Sequence, residues 1–413
     1  MIVERVRNES VWKSLKILFI GAGLLFLINI YFGFDNSLTV GEIARGQLLI
    51  HLHAASVGWI TLSAIGIAIW VLTGQRDVSE QYAGRIRLLV WAAVLAFAFY
   101  IPNFWLAFSA GFATLLPVFG SLSVIVLWIA AIYALMQLRH QEPMTTVQLL
   151  AVGALLVAAI GATVGALLGM ERAIGRFLPL PEGERVGAHA GMMDTYLFLL
   201  AAAIIEWFTR QDAKARWTIA GLIQAVAWSV GASLVPIAFF TGAIDQLLPI
   251  FLLLLVLGIL IFLVRMGWRA VAAGPMAKGG RAWAFFGSIW LVVFFIGFIV
   301  LVTSMDSPPP DWFGTVWTHS GFVGMMTNLL LAVLAARAWD ARDKWPWADS
   351  AAMWTINLGM LVFFGLKIAA DLRYGAIVMG LGVLLGVITM IVRLRASGST
   401  SPPQADVSAP AGG

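Results

Sequence analysis

Long apolar stretches separated by short polar ones organise this chain from end to end. Runs of about 20 residues, the length that crosses the hydrocarbon of a bilayer as a helix, occur near 12-34, 46-73, 86-106, 110-138, 146-170, 186-208, 217-241, 245-266, 282-304, 312-336, 351-370 and 374-394. These twelve runs predict an all-α polytopic membrane protein whose membrane domain covers 1-395. The segment 396-413, ASGSTSPPQADVSAPAGG, lacks apolar residues to bury and is expected to form a disordered cytoplasmic tail.

Composition agrees with the pattern. Hydrophobic residues make up 61% of the 413 positions and charged residues 11%, against roughly 45–50% and 25% in a soluble domain. Of the 26 Lys and Arg residues, all but Arg45, Arg172, Arg176, Arg185, Lys367 and Arg373 fall on the side of the amino terminus. The positive-inside rule then places both termini in the cytoplasm, as in a multi-pass protein of the inner (cytoplasmic) membrane. The formal charge of +5 is thereby a topology signal, and nucleic acid is not needed as a partner. The opening segment MIVERVRNESVWKSLK carries acids and no small-residue cleavage site before its apolar run, which predicts a retained first helix. With no cysteine, disulfides, thiolate-held zinc, iron–sulfur clusters and thiol-attached haem are excluded. Any metal must be held by imidazole or oxygen.

Of the five histidines, four fall inside apolar runs. His51 and His53 lie on the second run, in IHLHAASVGWI, His189 on the sixth and His319 on the tenth, while His140 sits in the loop RHQEP. From His53 to His189 is 136 residues and from His189 to His319 is 130, a step of about four helices each. The segments HAASVG, HAGMMD and HSGFVG at these sites are similar, which predicts three four-helix units around a pseudo-threefold axis. Each histidine comes early in a helix entering from the outer face, so all share one depth in the outer half of the bilayer. Imidazoles there are costly and need partners. A hydrogen bond to a neighbouring helix is one reading. Metal ligation is the other, because neutral imidazole is the commonest metal ligand and two histidines from facing helices suit a six-coordinate b-type haem.

Twelve helices with histidines on the second, sixth and tenth resemble the catalytic subunit of the haem–copper oxidase superfamily, which includes cbb3-type oxidases and nitric oxide reductases. The resemblance implies a low-spin haem b clamped between helix 2 and helix 10. In VWTHSGFVG, His319 matches the family's low-spin ligand and Gly324 the glycine five residues on. On helix 2 the leucine–histidine context of LIHLHAA favours His53, whereas superposing the repeats by their glycines favours His51. Residues two apart on a helix point about 200° apart, so the two cannot face one haem. The other would turn toward His189, where the resemblance allows a second haem or metal. Haem propionates need cations, and Arg45, Arg172, Arg176, Arg185, Lys367 and Arg373 are the outer candidates.

The chain also departs from the family. Trp317 stands where the high-spin haem ligand belongs, helix 7 (WTIAGLIQAVAWSVGASLVPIAFF) has no histidine for copper, and Met193 and Asp194 replace the expected tyrosine or glutamate. A degenerate member without the copper site is implied, with electron transfer or response to a diatomic gas such as nitric oxide in place of oxygen reduction. Its electron donor would be a periplasmic protein or a quinone. Whether the chain is an enzyme, as a possible oxidoreductase, is left open.

Other intramembrane polar groups invite explanation. Asp194, deep in helix 6, should be neutral, paired or wet, either at a proton position or as a clamp between helices. Glu206 can pair with Arg210. Trp12, Trp105, Trp207, Trp268, Trp312 and Trp339 read as interfacial anchors, and the glycines of GATVGALLG as close helix contacts. Two other classes of function compete: a proton-coupled transporter working through His and Asp, which predicts helices broken at midplane, and a haem-handling assembly factor.

Overall fold

A computed structural model of the chain describes residues 2–39, 43–73, 78–141, 144–175, 182–210, 218–267, 269, 272, 274–276, 280–304, 311–368 and 373–398. Within them lie twelve apolar helices long enough to cross a membrane: α1 Val11–Leu38, α2 Arg45–Thr73, α3 Glu80–Ser109, α4 Leu115–Leu138, α5 Thr146–Ile174, α6 Val186–Thr209, α7 Ile219–Thr241, α8 Ile244–Gly267, α9 Gly280–Leu301, α10 Trp312–Arg337, α11 Ala348–Leu366 and α12 Arg373–Ala396. The protein is an all-α polytopic membrane protein, and no strand occurs among the described residues. Most of the tail expected to be disordered lies outside them; α12 itself runs through Ala396, and Ser397 and Gly398 are held by hydrogen bonds.

Local chemistry sets the helix ends. Ser79 and Thr218 cap α3 and α7 by accepting from the backbone N–H of Tyr82 and Gly221, and Thr145 forms a reciprocal capping box with Gln148 at the start of α5. Gly242, at φ +71°, takes the left-handed position that stops α7. Pro102 interrupts α3 between Tyr100 and Asn103.

Polar contacts gather alternate helix ends on one side, that of the amino terminus. Lys16 Nζ donates to the Ser397 carbonyl at 2.6 Å, bringing the start of α1 to the end of α12. The side-chain amides of Gln141 and Gln148 bond the carbonyls of Leu72 and Val71, joining α5 to the end of α2. Glu206, on α6, receives Arg265 Nη2 of α8 at 2.7 Å. The Glu206–Arg210 pairing that spacing offered falls on a side chain outside the described residues. Trp12 is 1% exposed, wedged between Phe19 and Trp70; it is a core residue and no interfacial anchor, whereas Trp105 at 49% exposure does reach the surface.

The helices differ in enclosure. In α2, α6 and α10 the apolar window is 78% buried, against 28–61% in the others. The three histidine-bearing helices are therefore the centre of the bundle, with the rest arranged around them.

Candidate metal centre

His51, His53, His189 and His319 lie six to eight residues after the starts of their helices at Arg45, Glu182 and Asp311, which is about 9–12 Å at 1.5 Å per residue. They sit at a common depth on the far side from the amino terminus. In each ring Nδ1 contacts a backbone carbonyl, and in His51 it also lies 3.1 Å from Asn29 Nδ2. His53 contacts Leu49 at 2.8 Å and His319 contacts Thr315 at 2.7 Å, both one turn back on the same helix. His51 reaches Asn29 of α1 at 3.0 Å and His189 reaches Gly161 of α5 at 2.8 Å, both on the preceding helix. A carbonyl oxygen only accepts, so we assign the ring proton to Nδ1 in His53, His189 and His319; Nδ1 of His51 stands between the Asn29 carbonyl and the Asn29 amide nitrogen, which suit opposite tautomers. In those three Nε2 is left with its lone pair, the state of a metal ligand whose second nitrogen is oriented by an outer partner.

Packing brings two of the four rings together. The centroids of His51 and His319 are 6.2 Å apart with their planes at 30°. Metal–imidazole bonds of about 2.0–2.1 Å, plus ~1.1 Å from nitrogen to ring centre, put two imidazoles on one ion about 6.3 Å apart. The spacing fits a single shared metal. The ring beside His319 is that of His51, whereas the leucine context favoured His53 for a shared position. Projecting from the opposite face of α2, His53 stacks on Phe104 at 3.8 Å and meets Tyr100 edge-on at 6.2 Å; its electrostatic neighbour among the histidines is His189.

The fit to a haem can be tested on these residues. Among the described residues, no group of three or more His, Cys, Asp or Glu converges to hold a bare ion. Two imidazoles suffice only where the remaining ligands come with the cofactor, as the four porphyrin nitrogens do in haem. All four histidines keep part of their surface open although their helices are the most enclosed. The residues present fit a haem between His51 and His319. They do not fit copper at His189, whose neighbours Met193 and Asp194 offer no second imidazole. Gly165 gives His189 its place, since a Cβ there would lie 2.7 Å from the ring. This glycine of GATVGALLG therefore admits an imidazole as well as a close helix.

Neighbouring groups complete the site. Asn29 Nδ2 donates to the His51 carbonyl at 2.5 Å, clasping the histidine at backbone and ring. An isolated amide inside the first apolar run was the signal that could have identified Asn29. Phe363 lies 4.9 Å from the His319 ring. Arg45 and Arg172 converge on the Phe108 ring at 5.3 and 4.8 Å, one turn beyond the Phe104 that supports His53. Arg373 is exposed at the start of α12, and the side chains of Arg176, Arg185 and Lys367 are outside the described set. Trp317 donates to the Phe294 carbonyl at 2.9 Å and stacks on its ring, so the indole in the family's ligand position is consumed in packing. Asp194 is 7% exposed and makes no hydrogen bond among the described residues.

Directly after His53 and His319 the helices widen into π turns, Ala54–Thr61 and Ser320–Thr327. Such turns carry an i→i−5 pattern and concentrate at functional sites. The two π turns pack against each other. They share His-x-x-x-Val-Gly-x-x-Thr, of which sequence reading had used only the histidine and glycine. The helices bearing the site continue through these turns without a break among the described residues. No protein-family model matches this chain, and none of the curated proteins matches it.

Proposed function

We propose that this protein is a b-type haem protein of the cytoplasmic membrane, in which His51 and His319 ligate one low-spin haem used for electron transfer or for response to a diatomic gas such as nitric oxide. The observation that carries the reading is the 6.2 Å separation of the two rings, with a backbone carbonyl beside Nδ1 of each. Such a haem would supply a one-electron couple with no vacant coordination position. The chain's own part is orientation: Asn29 and Thr315 fix the two imidazoles, and the apolar surround restricts water. Arg45 and Arg172 supply positive charge on the same side, where propionates would need it.

The resemblance to haem–copper oxidase catalytic subunits supports the same reading, as a degenerate relative without an oxygen-reducing binuclear centre. Three four-helix units with both termini cytoplasmic accord with the equal enclosure of α2, α6 and α10 and with the charge bias of the loops. A further haem or metal would be sought between His53 and His189. Electrons would come from a periplasmic protein or a membrane quinone.

The experiment is a reduced-minus-oxidised spectrum of protein purified from haem-replete cells. A sharp low-spin b-type band is expected, abolished in His51→Ala and His319→Ala and retained in His53→Ala. A colourless wild type overturns the proposal, and loss of the band in His53→Ala alone would return the shared ligand to that residue.

A further inference from the structure

Behind the π turn that follows His319 lies a buried network of amides. Asn328 of α10 and Asn357 of α11 are buried, and their carboxamides face each other. Asn357 Nδ2 donates to Asn328 Oδ1 at 3.0 Å, and Asn328 Nδ2 donates to Asn357 Oδ1 at 3.2 Å. Each amide nitrogen also donates to a carbonyl, Asn328 to Gly324 at 2.6 Å and Asn357 to Met353 at 2.8 Å. Trp290 of α9 donates Nε1 to Asn357 Oδ1 at 2.8 Å, so three helices meet in one network. Gly324 permits the approach, since a Cβ there would lie 2.6 Å from the Trp290 ring.

The network is fastened to the π turn Ser320–Thr327. The Asn328 backbone N–H points to the Met325 carbonyl, three residues back, and its side chain supplies the bond to Gly324, four residues back. In the matching turn after His53, Gly58 corresponds to Gly324 and Leu62 to Asn328, and leucine has no hydrogen to donate. That turn forms all the same, so the amides are not what makes a π turn. What they add is a fixed rotation of α10 against α9 and α11, because a reciprocal amide pair loses its bonds on turning where apolar contacts slide.

Rotation matters because of how the two rings are held. His319 Nδ1 contacts Thr315 of its own helix, so the ring turns with α10. His51 is tied instead to Asn29 of α1. The 30° angle between their planes therefore depends on the azimuth of α10. The helix that carries Asn357 also places Phe363 4.9 Å from the His319 ring. We propose, resting on the haem reading above, that Asn328, Asn357 and Trp290 are positioning residues for His319, setting the angle at which its imidazole meets an iron shared with His51.

The test uses full-length ferric protein loaded with haem and read by electron paramagnetic resonance. In a low-spin ferric haem, near-parallel axial imidazoles give a rhombic spectrum and near-perpendicular ones a single large g value. The wild type is expected to be rhombic. Asn357→Leu frees α10 to rotate and should move the largest g value away from that of the wild type. The double variant Asn328→Leu with Asn357→Leu leaves neither amide stranded; it should move the signal likewise and guards against a single variant that does not fold. Trp290→Phe keeps the amide pair and should move it less. Melting temperatures taken alongside separate a stability role: variants that melt earlier with g values unchanged overturn the proposal. A wild type with no low-spin b-type band overturns the haem reading and this assignment with it, whereas a wild type with that band and unshifted variants overturns the assignment alone.

Discussion

Thr61 and Thr327 end two matching π turns: each hydroxyl donates to the carbonyl five residues back, Ser56 at 2.8 Å and Phe322 at 2.9 Å. His53 and His319 stand at the same offset before them. The correspondence makes His53 and His319 equivalent in the two turns, yet the residue that meets His319 is His51. Equivalence in the turns and pairing across the bundle are separate relations, and the second decides which rings can share a metal.

The threonines are not equal in their surroundings. Thr61 also bonds Tyr196 Oη of α6 at 3.1 Å. Thr327→Val is expected to lower stability by about 1 kcal/mol, and Thr61→Val by more, since it strands the buried phenol too. Unfolding in detergent, with Tyr196→Phe closing a double-mutant cycle, measures the difference. Equal costs with no coupling to Tyr196 would refute the assignment.

Two glycines of α5 give opposite expectations. A methyl at Gly165 would strike the His189 ring, while one at Gly169 meets only Leu116 at 3.9 Å. Gly165→Ala should cost about 1–3 kcal/mol through overpacking and displacement of the imidazole from the Gly161 carbonyl. Gly169→Ala should be neutral or stabilising by up to ~1 kcal/mol through helix propensity. Thermal melts of the two variants in one detergent check the pair.

Arg393 is 1% exposed and grips Asp349 with Nη1 at 2.7 and 2.6 Å while bonding the carbonyls of Arg342, Lys344 and Trp345. It thereby holds the α10–α11 connection, including the left-handed Trp345 at φ +54°. Arg393→Met should destabilise by about 3–5 kcal/mol, and Arg393→Lys should recover little, because a point charge cannot reproduce the fork. Chemical denaturation of both variants tests this; substantial recovery by lysine would show that charge alone matters.

Asp194 separates a clamp from a proton position. Its carboxyl is buried without a hydrogen bond among the described residues, so removing its ionisable proton has no partner to strand. Asp194→Asn is expected to keep or raise the melting temperature. A fall of several degrees would identify a helix clamp whose partner is outside the described residues.

Hydrophobic runs, read at the length of a bilayer crossing, located all twelve helices to within a few residues at most ends, and the four intramembrane histidines were found by their cost in hydrocarbon. What the chain did not disclose was azimuth. His51 and His53 differ by about 200° around α2, and one dimension of sequence cannot say which neighbour lies on which face. Glycine spacing pointed to His51 and local context to His53; only packing against Asn29 and Phe104 separates them. Trp12 was misplaced for a related reason, since proximity to a helix end does not reveal whether the outward face meets lipid or another helix. Arg337 counted in sequence as one more loop cation, because nothing in its neighbours announces Trp70 and Trp207, whose rings lie 3.6 and 5.3 Å from its guanidinium.

The seam between α1 and α12, where Lys16 meets Ser397 and Gly23 packs against Ile391, has a consequence for biogenesis. Made earlier, α1 waits for α12 before its flank is covered. Asn29, which steadies His51, rides on that waiting helix, so any cofactor loading should follow synthesis of α12, and a chain truncated before α12 should reach the membrane yet be handed to quality-control proteases.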